Sequence, residues 1–155
     1  MEAEIDAADF IERFSRALLR MPKTARREMS LALRAAAQDV AKGARSLLRA
    51  GSSPSAPGQP PGRRTGALSR SIRTRLSRRG FTAYAFAAYG KSRKEGQYYA
   101  LFLEEGTAPR FTRRRGPRGR LESRPFLTRA LADAQPQISS RIEAAIAAIL
   151  REEGA

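Results

Sequence analysis

Glu104 and Glu105 stand side by side at the end of an apolar segment, and paired carboxylates are the usual material of general acid–base catalysis. In an extended strand, successive side chains point to opposite faces, so these two would diverge rather than share a proton. A metal site would need more oxygen ligands than this neighbourhood offers. Ser69 and Ser71 follow Thr65-Gly66, but no base lies near them in sequence. The chain has neither Cys nor His, which removes disulfides, thiolate chemistry, the commonest zinc sites, Ser-His-Asp triads and imidazole bases. Gly58, Gly62 and Gly66 recur every fourth residue. Pro60 and Pro61 lie between them, however, and no Gly-Lys-Ser/Thr follows, so they make no phosphate-binding loop; Lys23-Thr24 lacks the glycines. The expectation is a protein that is not an enzyme, with no catalytic residue, cofactor or metal.

Charge is the stronger chemical signal. The 155 residues carry 30 Lys+Arg against 15 Asp+Glu, a net charge of +15. Only Lys23, Lys42, Lys91 and Lys94 are lysines, so arginine supplies most of it. GC-rich codon usage is one reading of the preference for arginine over lysine, and it does not account for the excess of positive over negative. The charge is also segregated. Residues 63–79 hold Arg63, Arg64, Arg70, Arg73, Arg75, Arg78 and Arg79 with no acid. Residues 110–124 hold Arg110, Arg113, Arg114, Arg115, Arg118, Arg120 and Arg124 with Glu122 as their only acid. The first 20 residues carry five acids and three arginines. Such a field attracts polyanions: nucleic acid, an acidic protein face or an anionic membrane. The guanidinium fork suits phosphate and carboxylate alike. No aromatic ladder for stacking single-stranded bases accompanies these runs, and no zinc-finger, basic-zipper or helix-turn-helix pattern appears. Nucleic acid, if touched, would be met at its phosphates without sequence reading. No apolar run approaches the roughly 20 residues needed to span a bilayer, and the acidic stretch Met1 to Asp9 does not read as a signal peptide. No membrane partner is expected, and the chain should be made in the host cytoplasm.

The elements that must position these residues form one expected domain over 1–155. Residues 1–50 are helical. Ala7, Ile11, Phe14, Leu18 and Met21 make one apolar face, and Pro22 marks a break. Met29, Leu33, Ala36, Val40, Ala44 and Leu47 make a second face over about 24–49, ended by Gly51. Residues 51–64, with four prolines, form a loop or an extended arm, a plain linker by default and a reach toward a neighbouring subunit in the sharper reading. Within 65–107, Thr65 caps a short helix carrying Leu68, Ile72 and Leu76. Phe81 to Tyr89 is then a strand, Lys91 to Gln97 a turn, and Tyr98 to Glu104 a second strand ended by Gly106. Residues 108–124 are a second basic loop. Residues 125–155 form a C-terminal helix with Leu127, Leu131, Ile138, Ile142, Ala145 and Ile149 inward, kinked or interrupted at Pro136 and frayed over its last four or five residues. The fold class is α+β: N-terminal helices and a C-terminal helix packed on a small antiparallel sheet, with two long basic loops.

Three segments occur in a telling order. The first is Pro57-Gly58-Gln59-Pro60-Pro61-Gly62 followed by Thr65-Gly66-Ala67-Leu68-Ser69-Arg70-Ser71-Ile72. The second runs from Tyr98 through Leu103-Glu104-Glu105-Gly106-Thr107. The third is Arg124-Pro125-Phe126-Leu127-Thr128-Arg129-Ala130-Leu131. Together they resemble the siphophage tail-component family of head–tail joining or tail-completion proteins, whose members carry Thr-Gly-x-Leu-x-x-Ser-Ile, Glu-x-Gly-Thr and Arg-Pro-Phe-Leu motifs. The match spans about residues 55–131. It implies a virion protein at the head–tail junction or tail top of a phage, a gene-transfer particle or a domesticated tail. Such a protein would form a homo-oligomeric ring, plausibly sixfold, with neighbouring neck and tail proteins above and below.

Thr65, Gly66, Leu68, Ser71, Ile72, Glu104, Gly106, Thr107, Arg124, Pro125 and Phe126 would then be folding elements. Glu104 or Glu105 would accept bonds from backbone amides in the turn or from an arginine. Arg63, Arg64, Arg110, Arg113, Arg114, Arg115, Arg118 and Arg120 would face a neighbour or the DNA in the channel. The Arg-rich stretch 110–120 is longer than the family's link. The rival from another class is a free cytoplasmic protein that binds nucleic acid without sequence preference.

Overall fold

The computed structural model describes residues 21–51, 55–62, 65–88, 100–109, 111–112, 116–117 and 119–153. The expected first helix, over about 4–20, lies outside the described residues. Helix α1, Lys23–Ala50, begins immediately after Pro22, where proline needs no amide partner. It is stopped at Gly51, whose N–H still reaches the Leu47 carbonyl at 3.0 Å. A side chain at position 51 would press within 2.9 Å of the Pro61 carbonyl, so glycine here answers a close approach.

Helix α2, Ala67–Ser71, is only one turn long and leads directly into strand β1, Ile72–Leu76. Ile72 and Leu76 are therefore strand residues, not the continuation of a helix as their spacing with Leu68 implied. Thr65 lies one position ahead of the cap, which is Gly66 in the left-handed region; the Thr65 hydroxyl still accepts the Ala67 N–H at 3.3 Å. Strand β2, Ala83–Ala87, pairs antiparallel with β1, from Ile72↔Ala87 to Leu76↔Ala83. The turn between them closes on Ser77, whose N–H reaches the Thr82 carbonyl at 2.7 Å. Ser30 of α1 donates to the Gly80 carbonyl at 3.1 Å and pins the turn to the helix.

The second strand expected over Tyr98 to Glu104 is not one. Residues 100–105 are helical (α3). Ala100 and Leu103 are buried while Leu101 and Phe102 are exposed, which is the i, i+3 burial of a helix rather than alternation. Gly106, at φ +79°, donates to the Phe102 carbonyl at 3.0 Å; it ends a helix where a strand end was read. The sheet partner of β2 is β1, which precedes it.

The second basic loop contains a small ladder of its own, β3 (Phe111–Thr112) against β4 (Gly116–Pro117). Helix α4, Leu127–Glu153, then runs unbroken through Pro136. Proline removes the amide that would bond to the Ala132 carbonyl, but both residues are exposed, so water can serve that carbonyl. Helices α1 and α4 lie antiparallel: Gly43 faces Ala130, Asp39 pairs with Arg141, and Ala25 and Met29 cluster with Ile149. Alanines at 36, 37, 41, 44, 130 and 134 are buried, which lets the two backbones approach closely. One cluster joins α1, the β1–β2 hairpin, α3 and α4, with Ile72 and Phe126 as its largest fully buried side chains. The architecture is α+β, helices on a two-stranded antiparallel sheet.

Candidate functional site

Two segments distant in sequence, Glu104 to Thr107 and Arg124 to Leu131, come together at Glu104. The helical turn of α3 presents its carboxylate to the start of α4, where four backbone amides lack partners within the helix. Glu104 Oε1 accepts the Phe126 N–H at 3.0 Å and the Leu127 N–H; Oε2 accepts the Thr128 hydroxyl at 3.0 Å and its N–H at 3.4 Å. A negative group at a helix N-terminus is favoured by the helix dipole as well. The approach to α4 is fixed from the same side. Arg124 N–H donates to the Leu103 carbonyl at 2.6 Å, and the Ser123 hydroxyl donates to the Glu104 carbonyl.

Thr107 bonds twice to Leu121, N–H to carbonyl at 2.8 Å and hydroxyl from N–H at 3.0 Å. Gly106 is pressed against the 121–123 segment: a Cβ there would lie 2.7 Å from the Leu121 carbonyl. The proline-rich segment joins from the other side. Gly58 N–H donates to the Ser123 carbonyl at 2.9 Å, Arg129 donates to Gln59 at 3.4 Å, and Pro60 and Pro61 are buried. The described part of the expected arm thus straps the chain to itself. From the first motif, Ser71 donates to the Leu68 carbonyl at 2.6 Å, the Ile72 carbonyl accepts Arg45 at 2.8 Å, and Ile72 shares the core with Phe126.

The Glu104 carboxylate is engaged as a helix cap, and Glu105 is exposed on the solvent side. Among the described residues, no group of three or more His, Cys, Asp or Glu side chains could hold a metal ion. The depression beside Glu105, Gly106 and Arg120 is open to solvent.

The cationic residues divide into two sets. Arg63, Arg64, Arg110, Arg113, Arg114, Arg115 and Arg118 lie outside the described residues. Arg120 is exposed and pairs with Glu122 at 3.0 Å. Arg124 is half-buried beside the cap, and its Nε is buried without a hydrogen-bond partner. The structure adds a cationic group that the charge count alone did not place: Arg70, Arg73, Arg75, Arg78 and Arg79 are all exposed along α2, β1 and the following turn. The pairing register sets Arg73 opposite Phe86 and Arg75 opposite Tyr84. Directly paired residues share a face, so arginines and aromatics alternate across the outer surface of the hairpin. Linear inspection separates these partners by about ten residues, which is why the aromatic component was invisible there.

No family model, curated protein or solved structure matches the chain. Among the described residues, no helix is long and apolar enough to cross a membrane.

Proposed function

We propose that this chain is a structural, non-enzymatic protein of a tailed bacteriophage or phage-derived particle. In this reading it assembles as a ring, sixfold in line with the family it resembles, at the head–tail junction or tail top. There it joins neck components around the DNA channel. It is made in the host cytoplasm and ends in the virion. The observation that carries the reading is the junction at Glu104. The Glu104–Thr107 and Arg124–Leu131 segments, which resemble those of the head–tail joining family, bond to one another there; Gln59 of the proline-rich segment reaches Arg129, and the Thr65–Ile72 segment joins through the core that Ile72 shares with Phe126. A scaffold of this kind accounts for the motifs without a reaction to catalyse. A ring of identical subunits uses heterologous contacts, and the Arg-rich loop 108–124 has the charge to meet an acidic neighbour or phosphate. Contacts between channel-facing arginines and phosphate are weak and independent of sequence, which lets DNA pass.

Mass spectrometry of purified particles tests this directly: the chain should be present in a low, fixed copy number, and its absence would remove the reading. Reversing the charge of Arg113, Arg114 and Arg115 should impair assembly or DNA delivery. The rival, a free cytoplasmic nucleic-acid-binding protein, is favoured by the exposed arginines of the hairpin. It predicts that the chain stays in the particle-free fraction, bound to nucleic acid.

A further inference from the structure

We infer that the outer face of the β1–β2 hairpin binds single-stranded nucleic acid, with phosphates on Arg73, Arg75 and Arg78 and an unstacked base on Tyr84. The inference goes beyond the ring reading and stands on different observations. The first is charge without compensation. Arg70, Arg73, Arg75, Arg78 and Arg79 are exposed, and no acid occurs from residue 63 to 79. Among the described residues, the side chains of Arg75, Arg78 and Arg79 have no hydrogen-bond or ion-pair partner, and the Arg73 side chain only donates to the Arg70 carbonyl at 2.8 Å. A protein that folds for stability alone would relieve such repulsion with interspersed carboxylates, as Asp39 does for Arg141 and Glu122 does for Arg120.

The second observation is the aromatic pair. Tyr84 is 50% exposed in the middle of a strand, where a ring of that size would ordinarily turn inward. The opposite face of β2 is taken up by Ala83, Ala85 and Ala87, of which Ala87 is buried in the core. Tyr84 is therefore held outward, beside Phe86 on the same face. The third observation is shape. Arg75, Ser77, Arg78, Tyr84 and Phe86 line a concave site of about 530 Å³. Residues two apart on a strand lie roughly 7 Å apart, so Arg73 and Arg75 present two guanidinium forks along one line. Cations along a backbone track with an aromatic platform beside them is the chemistry of single-strand binding, and it tolerates any base because each has a π-face. An acidic protein would use the arginines and leave the rings idle. A duplex would keep its bases out of the rings' reach.

The test uses fluorescence anisotropy with the full chain, a labelled 20-nucleotide oligothymidylate and a 20-base-pair duplex across a salt series. The expected affinity for the oligothymidylate at physiological salt is about micromolar, the range of non-specific binding. Tyr84→Ala, and Tyr84→Leu which keeps apolar bulk, should each weaken oligothymidylate binding about tenfold, the loss expected for one stacked base, and leave duplex binding within about twofold. Replacing Arg73, Arg75, Arg78 and Arg79 with Ala should lower the salt slope for the single strand by about 2, the value for three lost phosphate contacts. Removing four equally exposed charges from α1 (Lys23, Arg27, Lys42 and Arg49 to Ala) should lower it much less. The inference is overturned if both Tyr84 variants bind oligothymidylate like the parent, or if the two quadruple variants lose slope equally. It also falls if polyglutamate of equal charge competes as well as the oligonucleotide. Detecting the chain in particles, or failing to, leaves this result unaffected, so the two readings fail separately.

Discussion

Glu104 carries the structural argument at the scale of single residues. A glutamate reaching across from a neighbouring helix to cap α4 satisfies amides that Pro125 and Phe126 cannot satisfy themselves, and it ties α3, the 121–125 segment and α4 into one unit. Substituting Ala leaves the Phe126, Leu127 and Thr128 amides without their acceptor. The expected cost is about 2 kcal/mol, with Glu104→Gln near half of that because one oxygen remains. Urea denaturation followed by circular dichroism reads both, and a loss below about 0.5 kcal/mol for Glu104→Ala would show that water replaces the carboxylate. The sequence leaves Glu104 and Glu105 as alternative acceptors, of amides in the local turn or of an arginine, and does not point to the start of α4. The donors to Glu104 lie 22 to 24 residues away, and nothing in local spacing encodes a contact of that range. Phe126, by contrast, enters as a folding residue through the Arg-Pro-Phe-Leu segment, and it is fully buried in the core.

The elements differ in how far their patterns constrained them. Helix α1 has an apolar stripe sustained over 28 residues with Pro22 and Gly51 at its ends, and the structure places it within a residue or two of the expected bounds. The short middle elements have no such redundancy. Tyr98 to Glu104 satisfies strand alternation through Tyr99, Leu101 and Leu103, and satisfies a helical face through Ala100 and Leu103. Tertiary burial of the latter pair decides the outcome. Ile72 likewise fits the helical spacing after Leu68, yet one turn of helix makes too few bonds to persist against the ladder offered by β2. Interior proline is costly, so Pro136 predicts a kink or an interruption; α4 is not interrupted there, and a long helix anchored at both ends tolerates the cost. That cost is recoverable. Pro136→Ala restores one main-chain bond at an exposed position, offset in part by a freer unfolded chain, and should stabilise the protein by about 1–2 kcal/mol. Thermal unfolding measures it; an unchanged or lower Tm would mean that the local backbone is shaped to proline.

At the scale of the whole molecule, a small alanine-rich core supports a surface whose charge is far from balance. The unequal signs were plain in the sequence, whereas their concentration on one hairpin face depended on the strand register. Salt acts on this surface in two opposed ways. It weakens exposed ion pairs such as Asp39–Arg141 and Arg120–Glu122, each worth at most about 1 kcal/mol. It also screens repulsion among cations that have no counter-charge, and at a net charge of +15 this second effect has many more pairs to act on. Raising NaCl from about 20 mM to 300 mM should therefore raise Tm, by roughly 3–6 °C if the relief reaches 1–2 kcal/mol. The gain should shrink when Arg73, Arg75, Arg78 and Arg79 are replaced with Ala, because the repulsion they contribute is then already gone. A parent protein whose Tm falls with salt would instead show that its few ion pairs outweigh the crowding of its arginines. The cationic face would then be stable as it stands, without a polyanion to complete it.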